Sequence, residues 1–217
     1  MKKKFLCIAL SAMILLPAVP IHAKQNTTIN KTFITLPKKN SYTLKIKGTK
    51  KKVVAVTKSG KVIAKKSGTA YITAKVNGQT LKCKVSVRSH KSITNKLWDA
   101  YDWQCEDIWN NGYCDIYHYI EDGTNSVGEK MDINKTISRL NTKYKKRSSY
   151  NKYVYSVQGK RYSKFKKTWE KLDAETVRLK NILDKNGTPT PKSNYYFPYQ
   201  KYSNYIWKLF DNVSDLQ

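Results

Sequence analysis

The chain has 217 residues, of which 42 are Lys or Arg and 15 are Asp or Glu, so its formal net charge at pH 7 is +27. Only three of the four cysteines, Cys83, Cys105 and Cys114, follow residue 23, and this odd, small number excludes a disulfide-stapled scaffold. Stability must come from buried apolar side chains, and the length is sufficient for two small domains.

The first 23 residues have the pattern of a secretory signal peptide. Three lysines precede an apolar run from Phe5 to Val19, and the segment ends at the small residue Ala23. We predict cleavage near Ala23 and a protein that is secreted or associated with the cell surface or cell wall. An uncleaved anchor is the alternative. No later segment is long and apolar enough to cross a membrane, so we expect no transmembrane span in the mature chain.

Charge divides the rest of the chain into two parts. Residues 24–98 contain 19 Lys or Arg and no acidic residue, whereas residues 99–217 contain 20 basic and 15 acidic residues. Hydrophobic periodicity also changes after Arg88. We therefore predict a β domain over residues 28–88 and a helical domain over residues 92–217.

Short alternating segments between turn residues predict strands in residues 28–88. Ala70, Ile72 and Ala74 share one face of a strand, and Asn77-Gly78 predicts a hairpin turn that leads into the last strand. In that strand the inward positions end with Val87, and Cys83 is interpreted as a small buried hydrophobic residue. This pattern is typical of a small sandwich or barrel.

The stretch GKVIAKKSGTAYITA from Gly60 to Ala74, followed by Asn77-Gly78 and CKVSV from Cys83 to Val87, resembles the group 2 bacterial Ig-like domain (Big_2). The resemblance implies an Ig-like β-sandwich over residues 28–88. Such domains occur in surface and secreted bacterial proteins, including adhesins, often as spacers, and the likeness transfers no catalytic residue. The chain departs from the family where three lysines run directly into Val53, so a strand or its connecting loop is shortened or lost.

Lysines that point outward or lie near turns have no acidic partner within the β domain. A sheet lined in this way attracts polyanions through its electric field and through counterion release. We predict that it binds an anionic cell-wall polymer or glycan, and the export signal argues against intracellular nucleic acid. The alternative is a solvated surface whose lysines protect the sheet edges. The predicted polyanion-binding residues are Lys45, Lys47, Lys50, Lys51, Lys52, Lys61, Lys65, Lys66, Lys82 and Lys84.

Apolar residues at steps of three and four predict helices after Arg88. One long helix covers Leu97 to Tyr119, with a kink or break near Gly112. A second begins at Asp132 and could reach Val157, a third runs from Tyr162 to Asn186, and the last runs from about Tyr199 to Val213. The predicted fold class is therefore multidomain, β plus α, with a small Ig-like β-sandwich followed by an antiparallel helical bundle.

Aromatic residues with polar tips are dense near the end of the helical domain, where they suit contacts with glycans or proteins. The predicted ligand aromatics are Tyr195, Tyr196, Tyr199 and Tyr202, and the alternative is that they belong to the core.

Residues with catalytic or metal-binding chemistry are sparse. His118 could share a helix face with Asp115 or Asp122, but aspartates are common on helix surfaces. We predict no metal, no cofactor and no catalytic residue. Cys105 and Cys114 would lie on opposite faces of a continuous helix and could pair only if the helix breaks at Gly112.

The sequence therefore predicts an exported bacterial surface protein that binds without enzymatic activity, with a helical domain that binds a protein partner or assembles. The alternative is an enzyme or toxin-like effector in the helical domain, with the β domain as a spacer. That alternative requires a polar cleft lined by carboxylates such as Glu106, Asp107, Glu170 or Asp173. A third interpretation is a pair of structural spacers.

Overall fold

Strands occupy the first part of the described chain and helices occupy the rest. A computed structural model describes residues 32–38, 41–43, 53–57, 60–76 and 79–217, so the predicted signal peptide lies outside the described residues. The strands are β1 Phe33–Pro37, β2 Ser41–Thr43, β3 Val54–Val56, β4 Lys61–Ala64, β5 Gly68–Val76 and β6 Gln79–Arg88.

The first sheet has the order β1-β6-β5, and its central strand is the longest. β5 and β6 pair antiparallel from Gly68 opposite Val87 to Val76 opposite Gln79, whereas β1 pairs parallel to β6. The predicted inward positions of β5 are buried, as are Cys83 and Val87 on β6, which confirms the alternation in β5. On β6 the alternation stops at Ser86, which was predicted to face outward and is buried. Asn77-Gly78, the predicted turn, lies outside the described residues.

The second sheet is antiparallel and has the order β2-β4-β3. Its buried apolar side chains belong to the same cluster as those of the first sheet. Gly68, at the start of β5, has a φ of +148°, and a Cβ atom at this position would lie 3.0 Å from Cγ2 of Val53. Only glycine allows this close approach in a conformation that other residues rarely adopt.

The helical part contains six α-helices, one π-helical segment and one 3₁₀ turn. The α-helices are α1 His90–Asp102, α2 Asp115–Asp122, α3 Ile133–Tyr144, α4 Arg147–Ser156, α5 Ser163–Asn186 and α6 Gln200–Ser214. A π-helical segment, Trp103–Cys114, joins α1 to α2, and a 3₁₀ turn, Lys160–Tyr162, precedes α5.

Several predicted helix ends are confirmed by their capping contacts. Asp132 caps α3, since its carboxylate accepts hydrogen bonds from the backbone N–H groups of Asn134 and Lys135. α5 ends at Gly187, whose φ is +74°. The predicted second helix does not reach Val157, however, because α3 and α4 are separate helices.

The predicted Ig-like β-sandwich followed by an antiparallel helical bundle is wrong. The described strands form a small mixed sheet and a second sheet in which β2 and β3 have three residues each. Alternation predicts that one face of a strand is buried, but it does not specify which element covers it. Here the extended residue Val157, directly after α4, pairs with the edge of β1, and the π-helical segment interrupts what would have been the first bundle helix.

The two parts of the molecule meet along β1. Val157 forms a parallel bridge with Thr35, and the backbone N–H of Gln158 donates to the carbonyl of Thr35 over 2.9 Å. The hydroxyls of Thr35 and Ser156 lie 2.9 Å apart in a buried contact. Ser86, beside Thr35 on β6, is buried as well. Within the described part of the chain, the helical part thus covers one end of the first sheet and leaves the other end open.

Candidate functional site

The open end of the first sheet carries aromatic and cationic side chains. Lys84 on β6 lies between Phe33 on β1 and Tyr71 on β5, and Lys82 lies opposite Thr73. We call these five residues the sheet surface. They share the outward face because they alternate with the buried positions of their strands. Tyr71 is 56% exposed, and Nζ of Lys84 lies 6.0 Å from the centroid of the Phe33 ring.

The lysines of the sheet surface have no acidic partner among the residues that the structure describes. All ion pairs among the described residues lie between residues 107 and 215, in the helical part. No acidic residue precedes Asp99 in the sequence, so an acidic partner would have to come from the helical part. Lys82 and Lys84 are exposed and so keep a positive charge that no carboxylate of the strands offsets.

Three other predicted lysines lie outside this surface. Lys61 is exposed on β4 of the second sheet, and Lys65 and Lys66 are exposed directly after that strand. Of the predicted lysines that the structure describes, only Lys82 and Lys84 therefore share one strand face. The other predicted members, Lys45, Lys47, Lys50, Lys51 and Lys52, lie outside the described residues.

The four predicted ligand aromatics are dispersed. Tyr202 is completely buried, and its hydroxyl donates to Oε1 of Gln104 over 2.7 Å, so it belongs to the core and is corrected as a ligand residue. Tyr195 is half-buried and donates to the carbonyl of Gly187. Tyr199 packs with its ring centroid 4.2 Å from that of Tyr117. Tyr196, by contrast, is 73% exposed.

A groove lined by carboxylates lies between α1, the π-helical segment and α4. Its volume is about 640 Å³, and its carboxylates come from Asp99, Asp102, Glu106 and Asp107. Its walls are the aromatic rings of Trp103, Tyr150 and Tyr153. We call it the acidic groove. Asp99 and Asp102 were missed as candidates. A sequence signal existed, because Asp99, Asp102 and Glu106 follow one another at steps of three and four residues, which place them on one helix face.

Electrostatics differ between the carboxylates of the acidic groove. Burial, followed by the neighbouring charges of Asp99 and Glu106, raises the pKa of Asp102. Asp107 instead pairs with Lys143, whose Nζ lies 2.8 Å from its carboxylate.

The other two carboxylates named for an enzyme lie outside the acidic groove. Asp173 is held by Arg147, and Glu170 is exposed on α5. The groove therefore contains two of the four carboxylates that the enzymatic alternative named.

The three cysteines of the described residues are free thiols. Cys83 is buried in the strand core, and burial raises its pKa to about 11, so it stays protonated and unreactive. Cys105 and Cys114 do not pair, although the helix is distorted between them at Asn111. Among the described residues no group of three or more His, Cys, Asp and Glu side chains is arranged to hold a metal ion.

Comparisons with known proteins identify no relative of this chain. No family model matches it, and neither does any curated protein or solved structure. The resemblance to the group 2 bacterial Ig-like domain stays a prediction. Within the described part of the chain, none of the helices has the length and apolar character that crossing a membrane requires.

Proposed function

We propose that this protein is exported and binds an anionic cell-wall polymer or glycan without acting on it. The sheet surface is the binding face. The observation that supports this proposal is the absence of any ion pair to the exposed lysines of the described strands, in a stretch of 75 residues (24–98) that contains no acidic residue. Binding releases the counterions of the polymer, so affinity falls as salt rises.

The aromatic neighbours of Lys84 favour a glycan-containing polymer over a bare polyanion. Phe33 and Tyr71 flank the lysine on adjacent strands, and Tyr71 is largely exposed. Aromatic rings pack on the apolar faces of sugars, while the lysines pair with acidic groups along the chain. The sheet surface would then hold the helical part at the wall. That the helical part binds a protein partner stays a prediction.

Sedimentation with purified cell walls tests the proposal through the variant Lys82→Gln/Lys84→Gln. We expect affinity at low salt to fall by about five- to thirtyfold, because each lysine near an anionic surface contributes roughly 1 kcal/mol. The dependence of binding on salt concentration should become shallower, since fewer counterions are released. Walls stripped of teichoic acid should retain less of the unmodified protein.

The matched control is Lys201→Gln/Lys208→Gln, which removes the same charge from two exposed positions on α6. It should retain most of the affinity. Equal losses in the two variants would show that net charge alone drives retention, and the sheet surface would then not be the binding face. Retention that does not change between low and high salt would overturn the proposal as a whole.

A further inference from the structure

A second cavity lies at the start of α1, on the helical part. Its volume is about 500 Å³, and it is bounded by the first turns of α1, the 3₁₀ turn and the last residues of the chain. The residues that line it include Lys91, Thr94, Asn95, Trp98, Arg161 and Gln217. Cavities of this size are common binding sites for small molecules.

The charge of this cavity is positive. Lys91 and Arg161 both line the cavity, and no acidic side chain is among the described residues that line it. The guanidinium of Arg161 donates to the carbonyl of Leu216 over 2.7 Å and to the backbone oxygen of Gln217 over 3.2 Å, and these contacts hold it in place. Asp215, close by in sequence, pairs instead with Lys164. Lys91 and Arg161 are therefore the two cations that can face an anionic group in this cavity.

Trp98 forms an aromatic wall with a fixed orientation. Its ring makes edge-to-face contacts with Tyr101 and Phe210, at centroid distances of 5.6 and 5.9 Å. Its Nε1 is shielded from solvent and has no hydrogen-bond partner among the described residues. A ligand oxygen that reached this nitrogen would supply the acceptor that the protein does not.

We infer that this cavity binds a monosaccharide that carries a phosphate or carboxylate group. The anionic group pairs with Lys91 and Arg161, and the apolar face of the sugar ring packs against Trp98. Thr94, Asn95 and Gln217 offer the hydroxyl and amide groups that sugar hydroxyls require. The inference goes beyond the proposed function, because it concerns a separate cavity and a small ligand rather than the sheet surface.

Calorimetric titration of the full chain tests the inference, with glucose 6-phosphate and glucuronic acid as probes. We expect both to bind, with glucose much weaker because it has no charge. Lys91→Gln should weaken binding by about tenfold through the loss of a charge-assisted hydrogen bond. Trp98→Phe retains a ring but removes the indole nitrogen, so it should weaken binding by a few fold. Circular dichroism would verify that both variants fold.

The matched control is Lys82→Gln/Lys84→Gln, which should leave the titration unchanged while it weakens retention on walls. Lys91→Gln should do the reverse, so the two proposals fail separately. Inorganic phosphate that binds as tightly as glucose 6-phosphate would overturn the assignment of a sugar site. Tighter binding of adenosine monophosphate than of glucose 6-phosphate would overturn it in favour of a nucleotide site. If Lys91→Gln and Lys82→Gln/Lys84→Gln lost the same affinity in the titration, the cavity would not be the site.

Discussion

Asp173 is a buried carboxylate whose partners explain its position. It receives two hydrogen bonds from the guanidinium of Arg147, at 2.6 and 2.7 Å, and a third from the amide of Asn151. The indole of Trp169 in turn donates to Asn151 over 2.7 Å. The hydrogen bonding of Arg147 to the Asp173 carboxylate is the main cause of the raised pKa of Arg147. This network links α4 to α5 and explains Asp173 without any catalytic role.

Asp173→Ala should lower the free energy of unfolding by about 2–3 kcal/mol, because it leaves Arg147 and Asn151 without their acceptor. This loss of stability is smaller than for a fully buried ion pair, because the Arg147 side chain is 30% exposed and can partly reach water. Urea denaturation followed by circular dichroism measures it. Glu170→Ala, at an exposed position on the same helix, should change stability by less than about 0.5 kcal/mol. Similar effects at both positions would contradict this account.

The π-helical segment and α3 pack closely at one glycine. Gly112 is buried, and a Cβ atom there would lie 3.0 Å from Cδ1 of Leu140, which is itself fully buried. At the adjacent Asn111 the backbone leaves the helical conformation, and Arg139 donates to its carbonyl over 2.8 Å. The distortion of the helix and the absence of a side chain at residue 112 together allow α3 to approach.

Gly112→Ala should destabilise the protein by about 1 kcal/mol, because the strain of overpacking exceeds the gain in helix propensity. Leu140→Val creates space at the same contact, so the double variant should lose less stability than the sum of the two single variants. Denaturant titrations of all four proteins give this coupling energy. If the two effects were strictly additive, or if Gly112→Ala were more stable, the close contact between residue 112 and Leu140 would not be the cause of the destabilisation.

Local sequence patterns were sufficient to predict the strands and helices in which buried residues recur at a regular spacing. The alternation of β5, that of β6 as far as Val85 and the stripe of α5 from Phe165 to Leu183 were predictable, because each of these segments buries one face. The break between α3 and α4 was not, since residues 145–146 contain neither Gly nor Pro. The pairing of Val157 with Thr35 joins positions more than a hundred residues apart, and no local pattern encodes it.

The candidate sites were predictable to different degrees for the same reason. Lys82 and Lys84 alternate with buried residues of one strand, so the sequence alone placed them on one face. The cavity beside Trp98 joins α1 to Arg161 and Gln217, and only the tertiary fold brings these residues together.

At the scale of the whole molecule, charge is distributed unevenly between the two parts. Residues 24–98 have 19 basic residues and no acidic one, whereas the helical part has ion pairs that offset much of its charge. Like charges on the strands repel one another in the folded state more than in the unfolded chain, because folding brings them closer together. Salt screens this repulsion over distances of about 10 Å at 0.1 M.

Raising NaCl from about 0.05 to about 0.5 M should therefore raise the Tm by about 2–4 °C, which corresponds to roughly 1 kcal/mol for a chain of this size. Thermal melts followed by circular dichroism measure the shift. Lys82→Gln/Lys84→Gln should melt higher than the unmodified protein at low salt and respond less to added salt. A Tm that falls with salt would mean that the ion pairs of the helical part outweigh the repulsion on the strands. Because salt should stabilise the fold while it weakens binding to an anionic polymer, release from cell walls at high salt can be distinguished from unfolding.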